Sequence, residues 1–232
     1  MKTQVSGRHV QTCQYLSIYL GFKRLTAIIV FTFVFTFGLS HATTAGTVIT
    51  VLGDSLAAGF GLATNEGFPV RLEAALRNAG EDVRVVNAGV SGDTSAGGLS
   101  RLDWVLADQP DIVLVELGGN DALRGLNPEN TFNNLDTIVS NLKARRVTVI
   151  LAGMRAPRNL GREYVSAFDA IYRRVAEKHQ VALYPFFLEG VALNPTLNQS
   201  DLIHPNQAGV DIIVKKILHV VRAALQDHQS KN

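Results

Sequence analysis

Five short runs rich in β-branched residues, at 48–52, 83–87, 112–117, 147–151 and 181–184, recur along this chain with longer amphipathic stretches between them. Apolar residues at helical spacing occupy 68–79, 96–108, 131–143 and 161–179, and a last such stretch covers 206–226. A strand that returns through a helix lies parallel to its predecessor, because the crossover brings the chain back to the same end of the sheet. The runs are nearly continuous in apolar character, as strands covered on both faces are. The pattern predicts an α/β fold: one domain of three α/β/α layers around a five-stranded parallel sheet, with the early strands central. Helix punctuation agrees, since Asn206 precedes the last helical stretch and Asn78-Ala79-Gly80 closes the first. No internal repeat or low-complexity linker divides the chain.

The first 42 residues stand apart from this pattern. They carry Lys2, Arg8, Lys23 and Arg24, no acidic residue, and an uncharged apolar run over 25–39 that ends in Ser40-His41-Ala42. A basic segment, a run of that length and a small-x-Ala end are the marks of a secretory signal peptide. The expected division is therefore a signal peptide over 1–42, cleaved after Ala42, and a folded domain over 43–232. Left uncleaved, the segment would be a membrane anchor, although a spanning helix needs about 20 apolar residues. Taking its four basic residues from the chain's 22 leaves 18 against 20 acidic ones, a net charge of −2. That balance gives no reason to expect nucleic acid as a partner. The single cysteine, Cys13, lies in the leader, so the remainder offers no thiol for a disulfide or a metal. A periplasmic or secreted location follows as the expectation. Contact with a membrane is expected only through an uncleaved leader, and the domain reads as a monomer.

Three strand ends run into polar, glycine-rich segments: Gly53-Asp54-Ser55-Leu56, then Asn87 through Thr94, then Gly118-Gly119-Asn120-Asp121. In a parallel sheet these ends share one edge, which is where open α/β folds bind ligands. A fourth segment, Asp201-Leu202-Ile203-His204-Pro205, precedes the last helical stretch. An aspartate three residues ahead of a histidine can hold one ring nitrogen and leave the other free as a base. His179, His219 and His228 sit in or beside helical patterns with charged neighbours and read as solvated surface positions. Asp121 reads as structural. Asp54 reads as a residue that fixes its loop and points away from the cleft. The glycines at 59 and 61 lack the third glycine of a dinucleotide site, and the histidines are too scattered to ligate a metal. Neither cofactor nor metal is expected.

The ordered set Gly-Asp-Ser-Leu, Gly-x-Ser-Gly-Asp, Gly-Gly-Asn-Asp and Asp-x-x-His-Pro resembles the GDSL, or SGNH, hydrolases. Val115 to Asp121, Leu123-Arg124-Gly125, Pro185 to Leu188 and His204-Pro205-Asn206 are similar to that family's bacterial thioesterase I/arylesterase branch of multifunctional lysophospholipases. The resemblance runs from Thr47 to the last helix and implies a flavodoxin-like SGNH hydrolase fold. It implies Ser55 as nucleophile, His204 as general base and then acid, and Asp201 as the residue orienting His204. The oxyanion hole it implies comprises the Ser55 and Gly92 backbone N–H groups and the Asn120 side-chain amide. Leu202 departs from the pattern, standing where glycine is common, and a small loop adjustment is expected there.

A serine hydroxyl attacks poorly until a neighbouring base takes its proton, and the resulting oxyanion needs donors aimed at it. The segment after the fourth strand, with Met154, Ala156 and Pro157 among Arg155, Arg158 and Arg162, reads as a substrate loop or equally as a solvated loop with arginines on its rim. The expected activity is a secreted serine esterase/thioesterase acting on a small-molecule acyl ester or thioester through an acyl-enzyme. Two alternatives are a deacetylase of carbohydrate or other acetyl esters on the same scaffold and, more remotely, a non-catalytic ligand-binding protein.

Overall fold

The computed structural model describes residues 46–231. The expected leader over 1–42 lies outside the described residues. Five strands form one parallel sheet in the order β2-β1-β3-β4-β5: β1 Thr47–Gly53, β2 Val83–Gly89, β3 Ile112–Glu116, β4 Thr148–Ala152 and β5 Ala182–Tyr184. The α/β fold is as expected, with one correction: β1 and β3 are interior, but β2 is an edge strand. Its burial reflects that position, since Arg84 and Asn87 are exposed along it, whereas every residue of β3 is buried. The register pairs Gly53 with Gly89 and with Glu116, so these three strand ends lie side by side.

Among the described residues nine α-helices connect and cover the strands: α1 Ser55–Ala58, α2 Phe68–Asn78, α3 Ser95–Ser100, α4 Leu102–Ala107, α5 Gly119–Leu123, α6 Pro128–Ala144, α7 Arg162–Asp169, α8 Ile171–His179 and α9 Gln207–Lys231. Helices α2 and α9 pack together over one face, while α3, α6 and α8 cover the other. Helix α6 shows why such stretches fold as they do. Asn127 accepts the Glu129 N–H at 2.9 Å, Pro128 takes the first helical position, and Leu135, Ile138, Val139 and Leu142 form one buried stripe.

Two stretches expected to be continuous helices are each interrupted. The first breaks at Arg101 (φ −108°, ψ 12°), and the second divides at Ala170 into α7 and α8. Helix α9 starts where expected, with the Asn206 side chain accepting the Gly209 N–H at 3.0 Å, and runs on to Lys231.

The ends of β1 and β2 meet α1 with no room to spare. A Cβ at Gly89 would lie 2.3 Å from the Ala58 backbone nitrogen, and one at Gly53 would lie 2.6 Å from the Ala57 Cβ. Glycine is required at both positions by close approach rather than by unusual dihedrals. Gly89→Ala is expected to cost about 1–3 kcal/mol in urea unfolding, the usual penalty for overpacking, because the obstructing atoms are backbone. Since the displaced helix carries Ser55, ester hydrolysis should fall with it.

Candidate active site

The turn out of β1 delivers Ser55 as the first residue of α1. Asp54 caps that helix, its Oδ1 accepting the Leu56 N–H at 3.0 Å, and Gly59 ends it in the left-handed conformation (φ 80°). A serine so placed stands above the sheet edge, and its Oγ lies 2.9 Å from His204 Nε2. The two residues are 149 positions apart in sequence.

His204 belongs to the loop between β5 and α9, and Asp201 organises that loop. Asp201 Oδ1 accepts the N–H groups of Ile203 at 2.9 Å and His204 at 3.0 Å, while Oδ2 lies 2.6 Å from His204 Nδ1. The His204 N–H, the ring contact and the Ile203 N–H together hold the Asp201 carboxyl down to about 2. The anion fixes the tautomer: Nδ1–H donates to Asp201, and Nε2 is left to accept the Ser55 hydroxyl. Gln199 ties this loop down, its N–H donating to the His204 carbonyl at 2.7 Å and its amide to the carbonyls of Phe60 and Pro205 at 2.7 and 3.1 Å. The Phe60 ring packs on the imidazole with centroids 4.6 Å apart.

Leu202 sits at φ 60°, so the loop keeps a left-handed conformation that glycine adopts freely. Its side chain stands half exposed on the wall of a cavity.

That cavity has a volume of about 400 Å³ and is lined at one end by Ser55, Asn120 and His204. Met154, Ala156 and Pro157 line it too, so the segment after β4 reaches the place expected of it. Leu123, Phe186, Leu188, Leu193 and Ile203 complete its apolar walls. Gly92, by contrast, does not line the cavity. It occupies a left-handed conformation (φ 85°), and its N–H has no partner among the described residues. The connection to the cavity runs through Asn120, whose Nδ2 donates to the neighbouring Asp93 carbonyl at 2.9 Å.

Asn120 also donates to Asp54 Oδ2 at 3.0 Å, which corrects the reading of Asp54 as turned away. Asp54 does fix its loop, but it also lines the cavity and holds Asn120. Burial pushes its carboxyl up to about 6, against the opposing effects of the Leu56 N–H and His204. Asp121 is structural as read: its buried carboxylate accepts from Ser95 N–H at 2.8 Å, Ser95 Oγ at 2.5 Å and Thr131 Oγ1 at 3.0 Å. Two histidines differ from expectation. His179 is largely buried against Asp136 at 2.7 Å, and His228 packs near Thr148 and Asp111; only His219 is a solvated surface group.

Sequence reasoning missed Arg101. Its guanidinium donates to Asp93 Oδ2 at 2.6 Å, the Ala88 carbonyl at 2.7 Å and the Gly53 carbonyl at 2.9 Å. One fork thus joins the ends of β1 and β2 to the turn after Gly92. A lone arginine inside a helical pattern gives no signal of this, because two of its three partners are main-chain carbonyls at strand ends.

A serine bonded to an imidazole that is bonded to a carboxylate, at the mouth of an apolar cavity, is equipment for acyl transfer. The description GDSL-like lipase/acylhydrolase family matches residues 51–212. The chain is 41% identical to esterase TesA of Pseudomonas aeruginosa over 182 residues, covering 78% of this chain and 90% of that protein. It is 43% identical to thioesterase 1/protease 1/lysophospholipase L1 of Escherichia coli K12 over 176 residues, covering 75% and 83%. The crystal structure of AlinE4, an SGNH-hydrolase family esterase, is similar with a TM-score of 0.67 and 48% identity, covering 79% of this chain and 99% of that one. The chain belongs to the GDSL-like lipase/acylhydrolase family and is an ester hydrolase.

Arg101→Lys keeps the charge but cannot make three divergent bonds. Losing charged hydrogen bonds there should lower unfolding free energy by about 1.5–3 kcal/mol, and kcat should fall with KM little changed. Urea titration and steady-state ester hydrolysis check the pair of effects together.

Proposed function

We propose that this protein is a secreted serine hydrolase that cleaves carboxylic esters and acyl thioesters of small-molecule substrates through an acyl-enzyme. The observation that carries this reading is the continuous hydrogen-bonded path from Asp201 through His204 to Ser55 Oγ, with steps of 2.6 and 2.9 Å. His204 Nε2 takes the hydroxyl proton as Ser55 Oγ bonds to the acyl carbon. The imidazolium, stabilised by Asp201, then returns that proton to the leaving oxygen or sulfur. Water attacks the acyl-enzyme by the same route in reverse, with His204 again as base.

The donors proposed for the oxyanion are the Ser55 and Gly92 N–H groups and the Asn120 amide. Both N–H bonds of Asn120 are engaged in the resting protein, by Asp54 and by the Asp93 carbonyl. Asn120 would therefore turn one of them toward the oxyanion as charge develops there, an interaction stronger in the transition state than in the ground state.

Met154, Ala156 and Pro157 form the proposed acyl-binding wall, with Leu188 and Ile203 beside them. These apolar walls favour an acyl chain over the acetyl-sugar reading, which needs polar partners for a carbohydrate. The names of the relatives support the same breadth, spanning arylesterase, thioesterase and lysophospholipase. Secretion rests on the basic, then apolar, character of residues 1–42, and the mature enzyme is proposed to act as a monomer.

Hydrolysis of p-nitrophenyl esters and acyl-CoA thioesters over a series of chain lengths tests the reading. Ser55→Ala is expected to lose at least about a thousandfold in kcat on both substrate classes. The wild type should prefer medium acyl chains to acetate. Full retention by the variant would rule out the proposed mechanism, and a preference for acetyl esters would favour the deacetylase.

A further inference from the structure

Beneath the Ser55 turn lies an ionisable group that the hydrolytic steps do not use. Glu116, the last residue of β3, has no exposed surface. Its Oε2 accepts the Asp54 N–H over a long 3.3 Å bond, and its Oε1 has no partner among the described residues. The Asp54 carboxyl beside it is 2% exposed. Among the described residues no lysine or arginine side chain donates to either carboxyl. The groups that face the pair are His204 across the cavity, Asp93 beyond Asn120, and Tyr172 on α8. Of these, the Asp93 carboxylate is matched by Arg101, and Tyr172 donates its hydroxyl to the Leu117 carbonyl at 2.8 Å.

Two adjacent buried carboxyls without a cation cannot both ionise. They differ in what would stabilise a charge. Asp54 has the Leu56 N–H on one oxygen and the Asn120 amide on the other. Glu116 has the long Asp54 N–H bond, the Ala57 N–H facing it and one oxygen without a partner, the weaker anion site of the two. The proton therefore resides on Glu116 and the charge on Asp54.

We propose that Glu116 is a positioning residue that works as a neutral acid, keeping the Asp54 N–H paired without adding a second charge, so that the Asp54 carboxylate holds Asn120 ready for the oxyanion. The proposal rests on the roles given above to Ser55 and Asn120. Burial and the neighbouring Asp54 both push the Glu116 carboxyl well above the usual range. Asp54, pushed up only to about 6, ionises first as pH rises. Its grip on Asn120 is present above that pH and weakens as pH falls through it, adding to the acid limb of activity.

The closing experiment combines isotope-edited infrared spectroscopy of the ¹³C-glutamate-labelled protein with pH–rate profiles of Glu116→Gln and Glu116→Leu. At neutral pH the labelled protein should show a protonated-carboxyl C=O band that Glu116→Gln removes. A neutral amide replacing a neutral acid should leave the acid limb of kcat/KM in place and cost less than about threefold. Glu116→Leu, which has no acceptor for the Asp54 N–H, should lose about tenfold in kcat with KM little changed. The proposal is overturned if Glu116→Gln removes no such band, or if it moves the acid limb down by about a pH unit or more, as loss of a buried anion would. It is equally overturned if the leucine variant matches the glutamine variant in kcat. Should the leucine variant not fold, the band and the acid limb of Glu116→Gln still decide. The infrared readout is independent of turnover, so it distinguishes failure of this proposal from failure of the Ser55 mechanism.

Discussion

The site depends on how tightly the chain turns at the carboxyl end of β1. Gly53 pairs with Gly89 on one side and Glu116 on the other, and α1 starts two residues later. A side chain at Gly53 would meet the Ala57 Cβ and Glu116 Oε2, both 2.6 Å from an added Cβ, and one at Gly89 would enter the α1 backbone. Only because both positions are glycine can a four-residue helix lie against two strand ends. That contact fixes the height of Ser55 above the sheet, and with it the 2.9 Å distance to an imidazole supplied from the far end of the chain. Interior packing tolerates little displacement, so Ser55 inherits its rigidity from the sheet.

Around that turn the protein keeps several charges close together and limits what each costs. Arg101 neutralises Asp93 and pins two strand ends with the same guanidinium. Asp201 is half exposed, and three N–H groups stabilise it, so it stays ionised beside His204. Asp54 and Glu116, deeper and without a cation, are the expensive part. Functional sites concentrate such perturbed groups because the chemistry requires buried charge that the rest of a fold avoids.

The sheet was legible in the sequence because buried parallel strands read as continuous apolar runs, and β1, β3 and β4 do so. The apolar run of β2 marks a strand but not its place in the sheet, whose edge position shows in the exposed Arg84 and Asn87. Ser55, His204 and Asp201 could be picked out because each sits in a short polar motif at a strand end or helix start. Contacts that cross the fold were hidden. Arg101 and Gln199 act on main-chain carbonyls that no side-chain pattern records. Asp54 was misjudged because its orientation depends on Asn120, 66 residues away. Leu202 adopts a left-handed backbone conformation, something propensity alone does not predict.

The cavity connects this geometry to substrate choice. Half-exposed Leu202 and Ile203 directly precede His204 in sequence, and Leu123 and Leu193 line the same cavity, so the imidazole shares it with apolar side chains. On the proposed reading, such a lining would exclude water from the Ser55–His204 hydrogen bond once an acyl chain is seated, strengthening the electrostatic contacts there. The central claim is that Ser55 is activated through His204, and covalent trapping addresses it most directly. The protein is treated with an organophosphonate ester and its peptides are mapped by mass spectrometry. The account predicts one adduct, on Ser55, formed far more slowly when His204 is replaced by alanine. An adduct on another residue, or labelling of Ser55 at an unchanged rate in that variant, would contradict it.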